Sequence, residues 1–236
     1  YSHSNNSMRI GTNESTRLSI DSSGNLNFAQ QASSSYPEQK LKWSNDSTSA
    51  NGFYISQDSS RHGRVWHEQG LDILFGTNNS ERLRLDSSGR LLVGASSART
   101  NFNDGTDESH IQLEGTTQNT STISTVRNSN NDGPSHLVLG KSRGTAVNST
   151  AIVQSNDTIG HINFEGADGS HLIRAAQISA VVDGTPGAND MPGRLVFSTC
   201  ADGAASLTER IRIGQDGRIS VSDSDYAYIR SSSGST

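Results

Sequence analysis

Apolar side chains are scarce in this sequence. Leu, Ile, Val and Phe together make up just under a fifth of its 236 residues, near the level of about 20% at which a chain stops building an ordinary core of its own. Cysteine is almost missing too, and the lone Cys200 excludes an internal disulfide framework. Next to Phe197-Ser198-Thr199 it reads as an inert thiol at a strand end rather than a reactive one. No apolar run approaches the roughly 18 residues of a membrane-spanning helix, and Tyr1-Ser2-His3-Ser4-Asn5-Asn6 has no signal-peptide pattern, so no membrane insertion is expected. With 19 basic residues against 24 acidic ones and no basic stripe interleaved with aromatics, nucleic acid is not an expected partner. Helical periodicity is also lacking, because Ser, Thr, Asn, Asp and Gly interrupt every segment before three turns can close.

These shortages do not add up to disorder. The net charge is only -5, and the apolar residues that exist are patterned rather than scattered. A thin core serves when repeats stack or when several chains share it, so an oligomer is expected.

What the sequence does have is a repeat. Arg17-Leu18-Ser19-Ile20-Asp21-Ser22-Ser23-Gly24-Asn25-Leu26-Asn27-Phe28 returns as Arg82-Leu83-Arg84-Leu85-Asp86-Ser87-Ser88-Gly89-Arg90-Leu91-Leu92-Val93, and again as Arg210-Ile211-Arg212-Ile213-Gly214-Gln215-Asp216-Gly217-Arg218-Ile219-Ser220-Val221. Apolar residues two apart, a polar turn with glycine and apolar residues two apart again specify a β-hairpin. The structural turn residues are Gly24, Gly89 and Gly217. Their spacings of 65 and 128 residues suggest a module of roughly 64 residues, its third boundary blurred or replaced.

Further strands are expected near 40–43, 53–56, 64–67, 71–75, 110–113, 121–127, 136–139, 151–154, 159–165, 173–182 and 194–198, separated by turns such as Asn51-Gly52, Asp104-Gly105, Asp168-Gly169 and Asp183-Gly184. The fold class is all-β, built from hairpin and meander modules. Residues 1–30 end one shaft module with the first cassette, and 31–98 form a module ending in the second. Residues 99–221 form a longer module ending in the third, and 222–236 begin another, so both ends read as cut from a longer chain.

The module at 31–98 concentrates large aromatics: Tyr36, Trp43, Phe53, Tyr54, Trp66 and Phe75. Aromatic faces stack on sugar rings, which makes Trp43, Tyr54 and Trp66 glycan-contact candidates, but their strand positions favour a core role.

Residues His136 to Thr145, Thr158 to Gly169, Ala180 to Thr199 and Glu209 to Ile213 resemble the shaft module of tailed-bacteriophage tail fibres and related virion appendages. The hairpins at 17–28 and 82–93 resemble the recurring shaft repeats of the same family. The resemblance implies an elongated homotrimeric β-stalk of interleaved strands on the virion, where it would contact other tail or capsid proteins and a host-surface glycan or protein. Such shafts are often followed by a self-cleaving intramolecular chaperone of the endosialidase type. Here Asp225-Tyr226-Ala227-Tyr228-Ile229-Arg230 resembles only the segment leading towards it, and no receptor-binding tip is identifiable. In such a stalk neighbouring chains pair the open strand edges, apolar residues face the axis, and the arginines that alternate with them lie outside or at chain seams. Glu81-Arg82 and Glu209-Arg210 then read as inter-chain ion pairs, against the plainer reading of solvated surface charge.

Catalysis is not expected. A glycosidase needs two carboxylates about 5 to 10 Å apart, and the candidates Glu165, Asp168, Asp183 and Asp190 lie in or beside Gly-rich turns, where Asp serves turn geometry. A polysaccharide-degrading tailspike is therefore an alternative, and no GxSxG, HExxH or phosphate-cradling motif supports it. The histidines at 62, 67, 110, 136, 161 and 171 never form a His-x-His pair, so no metal or other cofactor is expected. Sequons such as Asn78-Asn79-Ser80 follow from the abundance of Asn, Ser and Thr. The rival class is a trimeric bacterial surface adhesin, another β-rich stalk.

Overall fold

A computed structural model describes residues 2–4, 7–12, 15–20, 23, 26–28, 39–43, 52–58 and 60–221. The architecture is all-β, with two short 3-10 turns at Asn103–Gly105 and Gln118–Thr120. By its contacts the chain divides into two units, one of Tyr1–Ala98 with His110–Thr122 and the other of Arg99–Ser109 with Ile123–Thr236.

The first unit carries three sheets of strands adjacent in the chain. β1 (Ser2–Ser4), β2 (Ser7–Thr12), β3 (Ser15–Ile20) and β4 (Leu26–Phe28) form an antiparallel meander, and β5 (Gln39–Trp43), β6 (Phe53–Gln57) and β7 (Gly63–His67) form another. β8 (Ile73–Thr77), β9 (Ser80–Leu85) and β10 (Leu91–Val93) form the third, to which β11 (Ile111–Leu113) adds in parallel. The second unit holds one five-stranded antiparallel sheet in chain order: β12 (Thr158–Ala167), β13 (Leu172–Val182), β14 (Gly193–Cys200), β15 (Leu207–Ile213) and β16 (Ile219–Val221).

All three cassettes are hairpins, β3–β4, β9–β10 and β15–β16. Gly89 and Gly217 have φ of 80° and 76°, in the left-handed region that glycine adopts without a Cβ clash. In both turns the glycine N–H closes on the residue three back, Asp86 O at 2.9 Å and Gly214 O at 3.0 Å. Gly24, like residues 222–236 and the segment 225–230 within them, lies outside the described residues.

Each cassette also contains a β-bulge that simple alternation hides. Phe75 pairs with Leu83 but Gly76 with Glu81, Phe197 with Ile211 but Ser198 with Glu209, and Ile10 with Leu18 but Gly11 with Thr16. Arg82, Arg210 and Arg17 are therefore extra residues at the same cassette position. An extra residue reverses the parity of the strand, which puts Glu81 and Arg84 on one face. The ion pairs follow from this: Arg84 donates Nε and Nη2 to Glu81 at 2.7 Å each, and Arg212 donates to both oxygens of Glu209 at 2.9 Å. Within one chain each glutamate is thus paired with the arginine three residues on.

Three expected strands do not form. Residues 121–127, 136–139 and 151–154 belong to no ladder, and the strand placed at 71–75 runs over 73–77 instead. Alternating polarity marks chain suited to a sheet, but a strand also needs a partner edge, and these segments find none among the described residues.

Candidate functional site

The register sorts each sheet into two unlike faces, because paired residues share a side and neighbours alternate. In the five-stranded sheet one face carries Ile162 and Phe164, Ala176, Ile178 and Ala180, Leu195 and Phe197, Ile211 and Ile213, and Ile219 and Val221. This block is contiguous across all five strands and is bounded by Thr199, which pairs with Ala176 and whose hydroxyl accepts from Arg210. It is also open, with Phe164 52% and Ile219 63% exposed. The opposite face mixes His161, Gln177, Ser179, Val181, Arg194, Val196 and Arg212. Three of these, Ser179, Val181 and Val196, are buried.

The same division recurs in the first unit. In the β8–β11 sheet, Ile73, Phe75, Leu83, Leu85, Leu91, Val93, Ile111 and Leu113 share a face on which Phe75 and Ile111 are exposed, while the buried Leu92 and Gln112 lie on the other with Arg84. In β5–β7, Leu41, Trp43, Phe53, Ile55 and Val65 share the open face, with His67 at its margin, and the buried Tyr54 and Ser56 lie on the other. In β2–β4 the paired Ile10 and Leu18, and Ile20 and Leu26, follow suit, with Ile10, Ile20 and Leu26 exposed. Each sheet thus leaves apolar residues exposed on one face, the reverse of a self-sufficient domain.

The three aromatic candidates do not form one surface. Trp43 packs against Phe53 on the open apolar face, ring centroids 5.8 Å apart, and remains 53% exposed. Tyr54 and Trp66 are paired across the other face. There the Arg64 guanidinium lies 5.9 Å from the Tyr54 ring and 6.0 Å from the Trp66 ring, and Lys42 Nζ donates to Glu68 at 2.6 Å. Only Tyr54 is buried, while Trp66 is 50% exposed. The period of two, which suits all three to a strand, also separates them.

The carboxylates weighed for catalysis hold local structure. Asp168 accepts the backbone N–H groups of His171 at 2.7 Å and Ser170 at 2.8 Å, closing the β12–β13 turn, and these bonds hold its carboxyl below the usual range. Asp183 accepts the Gln215 N–H at 3.2 Å and the Arg194 guanidinium at 2.8 Å, which depress it likewise. Glu165 accepts the Asn103 N–H at 3.2 Å, and Asp190 forms a bridge with Gly187. Cys200 is half-buried, its thiol directed at the Ala204 carbonyl. His161 Nδ1 lies 3.0 Å from the Ser179 hydroxyl, His62 Nδ1 lies 3.1 Å from Asp58 and His171 Nδ1 lies 3.5 Å from Asp104. Among the described residues no three His, Cys, Asp or Glu side chains converge. A recess of about 440 Å³ between Asn103, Asp104, Arg174, Gln177 and Leu207 is the best-enclosed hollow described in the second unit.

No protein-family model and no curated protein matches the sequence. Solved structures do resemble the fold. The carboxy-terminal domain of the bacteriophage T5 L-shaped tail fibre superposes with a TM-score of 0.50 at 13% identity, over 97% of this chain and 82% of that one. The same domain with its intramolecular chaperone domain gives 0.51 at 13% identity, over 97% of this chain and 56% of that longer one. The likeness is one of fold.

Proposed function

We propose that this chain is a length of phage tail fibre, in which three copies close their apolar sheet faces around a common axis into a β-stalk that projects from the virion and supports recognition of the host surface. The observation that carries this reading is the recurrence, in four successive sheets, of an open face built of apolar residues. Burial of apolar surface stabilises association by about 25 cal/mol per Å². The eleven-residue apolar block of the five-stranded sheet, matched to copies of itself, therefore offers a stable structure no comparable alternative. The mixed faces then point outward, where Trp66 and Arg64 present a half-exposed ring and a cation to whatever the fibre meets. The tail-fibre likeness of the fold supports the setting, and the shaft resemblance of the sequence supports three copies.

Light scattering on the purified segment should give about three times 25.1 kDa, and a compact, stable monomer would sink the proposal. Antibodies raised against the segment should decorate fibres on virus particles in negative stain. Decoration of a bacterial surface instead would turn the reading towards an adhesin.

A further inference from the structure

The longest segment without partners in the second unit lies between the 3-10 turn ending at Thr120 and the start of β12. Residues 122–129 and 133–142 run without a bend, joined by a reversal at 130–132. Across 123–141 no backbone group bonds to another backbone group among the described residues. The two limbs touch where the Ser135 hydroxyl donates to Thr125 O at 3.3 Å and where the Arg127 guanidinium lies against Gly133. Their apolar side chains stand in water, with Ile123 79%, Leu137 81% and Val138 80% exposed. Leu139 marks the root: it lies over Gly160 at the start of β12, where an added Cβ would come within 2.8 Å of the Leu139 Cβ.

Holding a residue in one backbone conformation costs about 1 to 2 kcal/mol. Neither a ladder nor a core within the chain offsets that cost over these limbs. The same unit offers what they need, since β12 and β16 are edge strands with one side unpaired. The limb 133–142 also matches the ten residues of β12 in length. Within one chain Leu139 packs against Gly160 of β12, and among the described residues no backbone hydrogen bond joins the limbs to either edge.

We propose that residues 123–141 are an exchanged arm: the arm of one copy extends the five-stranded sheet of a second copy, its backbone paired to an open edge strand, with Leu137 on the side of the apolar face and its neighbour Val138 on the other. This rests on the assembly proposed above and assigns the segment that interlocks it. The three unformed strands then include two, 121–127 and 136–139, whose partner edge belongs to another chain.

Hydrogen exchange on the intact chain tests this directly. In the assembled protein, amides of 123–129 and 135–141 should exchange at least 100-fold more slowly than in an unstructured peptide, although no backbone partner for them lies among the described residues. An oligomer in which they exchange at the free-peptide rate would overturn the arm while leaving the assembly standing, whereas a stable monomer would remove both. Leu137→Asp combined with Val138→Asp should weaken association at least tenfold. Val147→Asp, at an exposed apolar residue outside the arm, should leave association unchanged. Should the double variant fail to fold, the exchange pattern of the unmodified chain still decides.

Discussion

Arg82 and Arg210 hold equivalent places: each is the extra residue of a β-bulge, and each donates Nε to a threonine on the neighbouring strand, Thr77 at 3.1 Å and Thr199 at 2.9 Å. The bulge lets Arg84 and Arg212 grip a glutamate three residues earlier on their own strands while the leucines and isoleucines between them stay on the apolar face. Because Arg82 is supernumerary in the ladder, deleting it preserves the register on both sides. The deletion should lose about 1 kcal/mol, the worth of one hydrogen bond. Deleting Arg84 turns the leucines of β9 to the wrong face and should abolish folding of that sheet. Equal losses in thermal melting would contradict the bulge.

Gly89→Val tests the hairpin turn. An added Cβ at Gly89 meets nothing within 4 Å, so the cost is conformational alone, about 1 to 3 kcal/mol per chain for a β-branched residue at positive φ. Gly89→Asn should cost distinctly less, since Asn tolerates that region. Identical melting of both variants would show that φ does not set the cost.

The two tryptophans should separate in their effects. Trp43→Ala, on the open apolar face, should lower the stability of the assembly by roughly 3 to 5 kcal/mol per site. Trp66→Ala, on the outward face, should stay near 1 kcal/mol. Equal losses on melting would mean that the two faces are not distinguished by assembly. A stable Trp66→Ala assembly that no longer adsorbs to host cells would place receptor contact on this sheet.

Acid should loosen the fold. Hydrogen bonds from Arg84 to Glu81, and from Arg143 and the Gln154 N–H to Asp157, hold both carboxyls below their ordinary values of 4.5 and 3.8, and Asp168 and Asp183 are depressed as well. A carboxyl depressed in the folded state contributes stability that is present above its unfolded value and is lost as pH falls through the folded one. Melting temperature should hold steady from about pH 6 to 5 and drop below about pH 4. Asp157→Asn should flatten that drop, and a profile unchanged down to pH 3 would refute the linkage.

The hairpins are legible in the sequence because two signals coincide in them: apolar residues two apart and a turn with glycine at the same place in three copies. The period of two alone puts Leu83, Leu85, Leu91 and Val93 on a common face. Arg82 is not legible as a bulge, because Arg-Leu-Arg-Leu reads as unbroken alternation, and Glu81 then seems to belong with its neighbour rather than with Arg84. Polarity patterning likewise marks Ser121 to Arg127 and His136 to Leu139 as chain fit for a sheet. It carries no information on whose edge would receive them.

In every sheet the strands follow chain order, so almost every ladder joins segments close in sequence and little loop entropy opposes its formation. Chains of such low contact order organise quickly, and in the assembly proposed above the slow step is then the meeting of separate chains. Refolding yield should then be governed by protein concentration rather than by time, with hairpin signals recovering early at any dilution. A cell making this chain would have to supply neighbours faster than the open faces find unrelated partners.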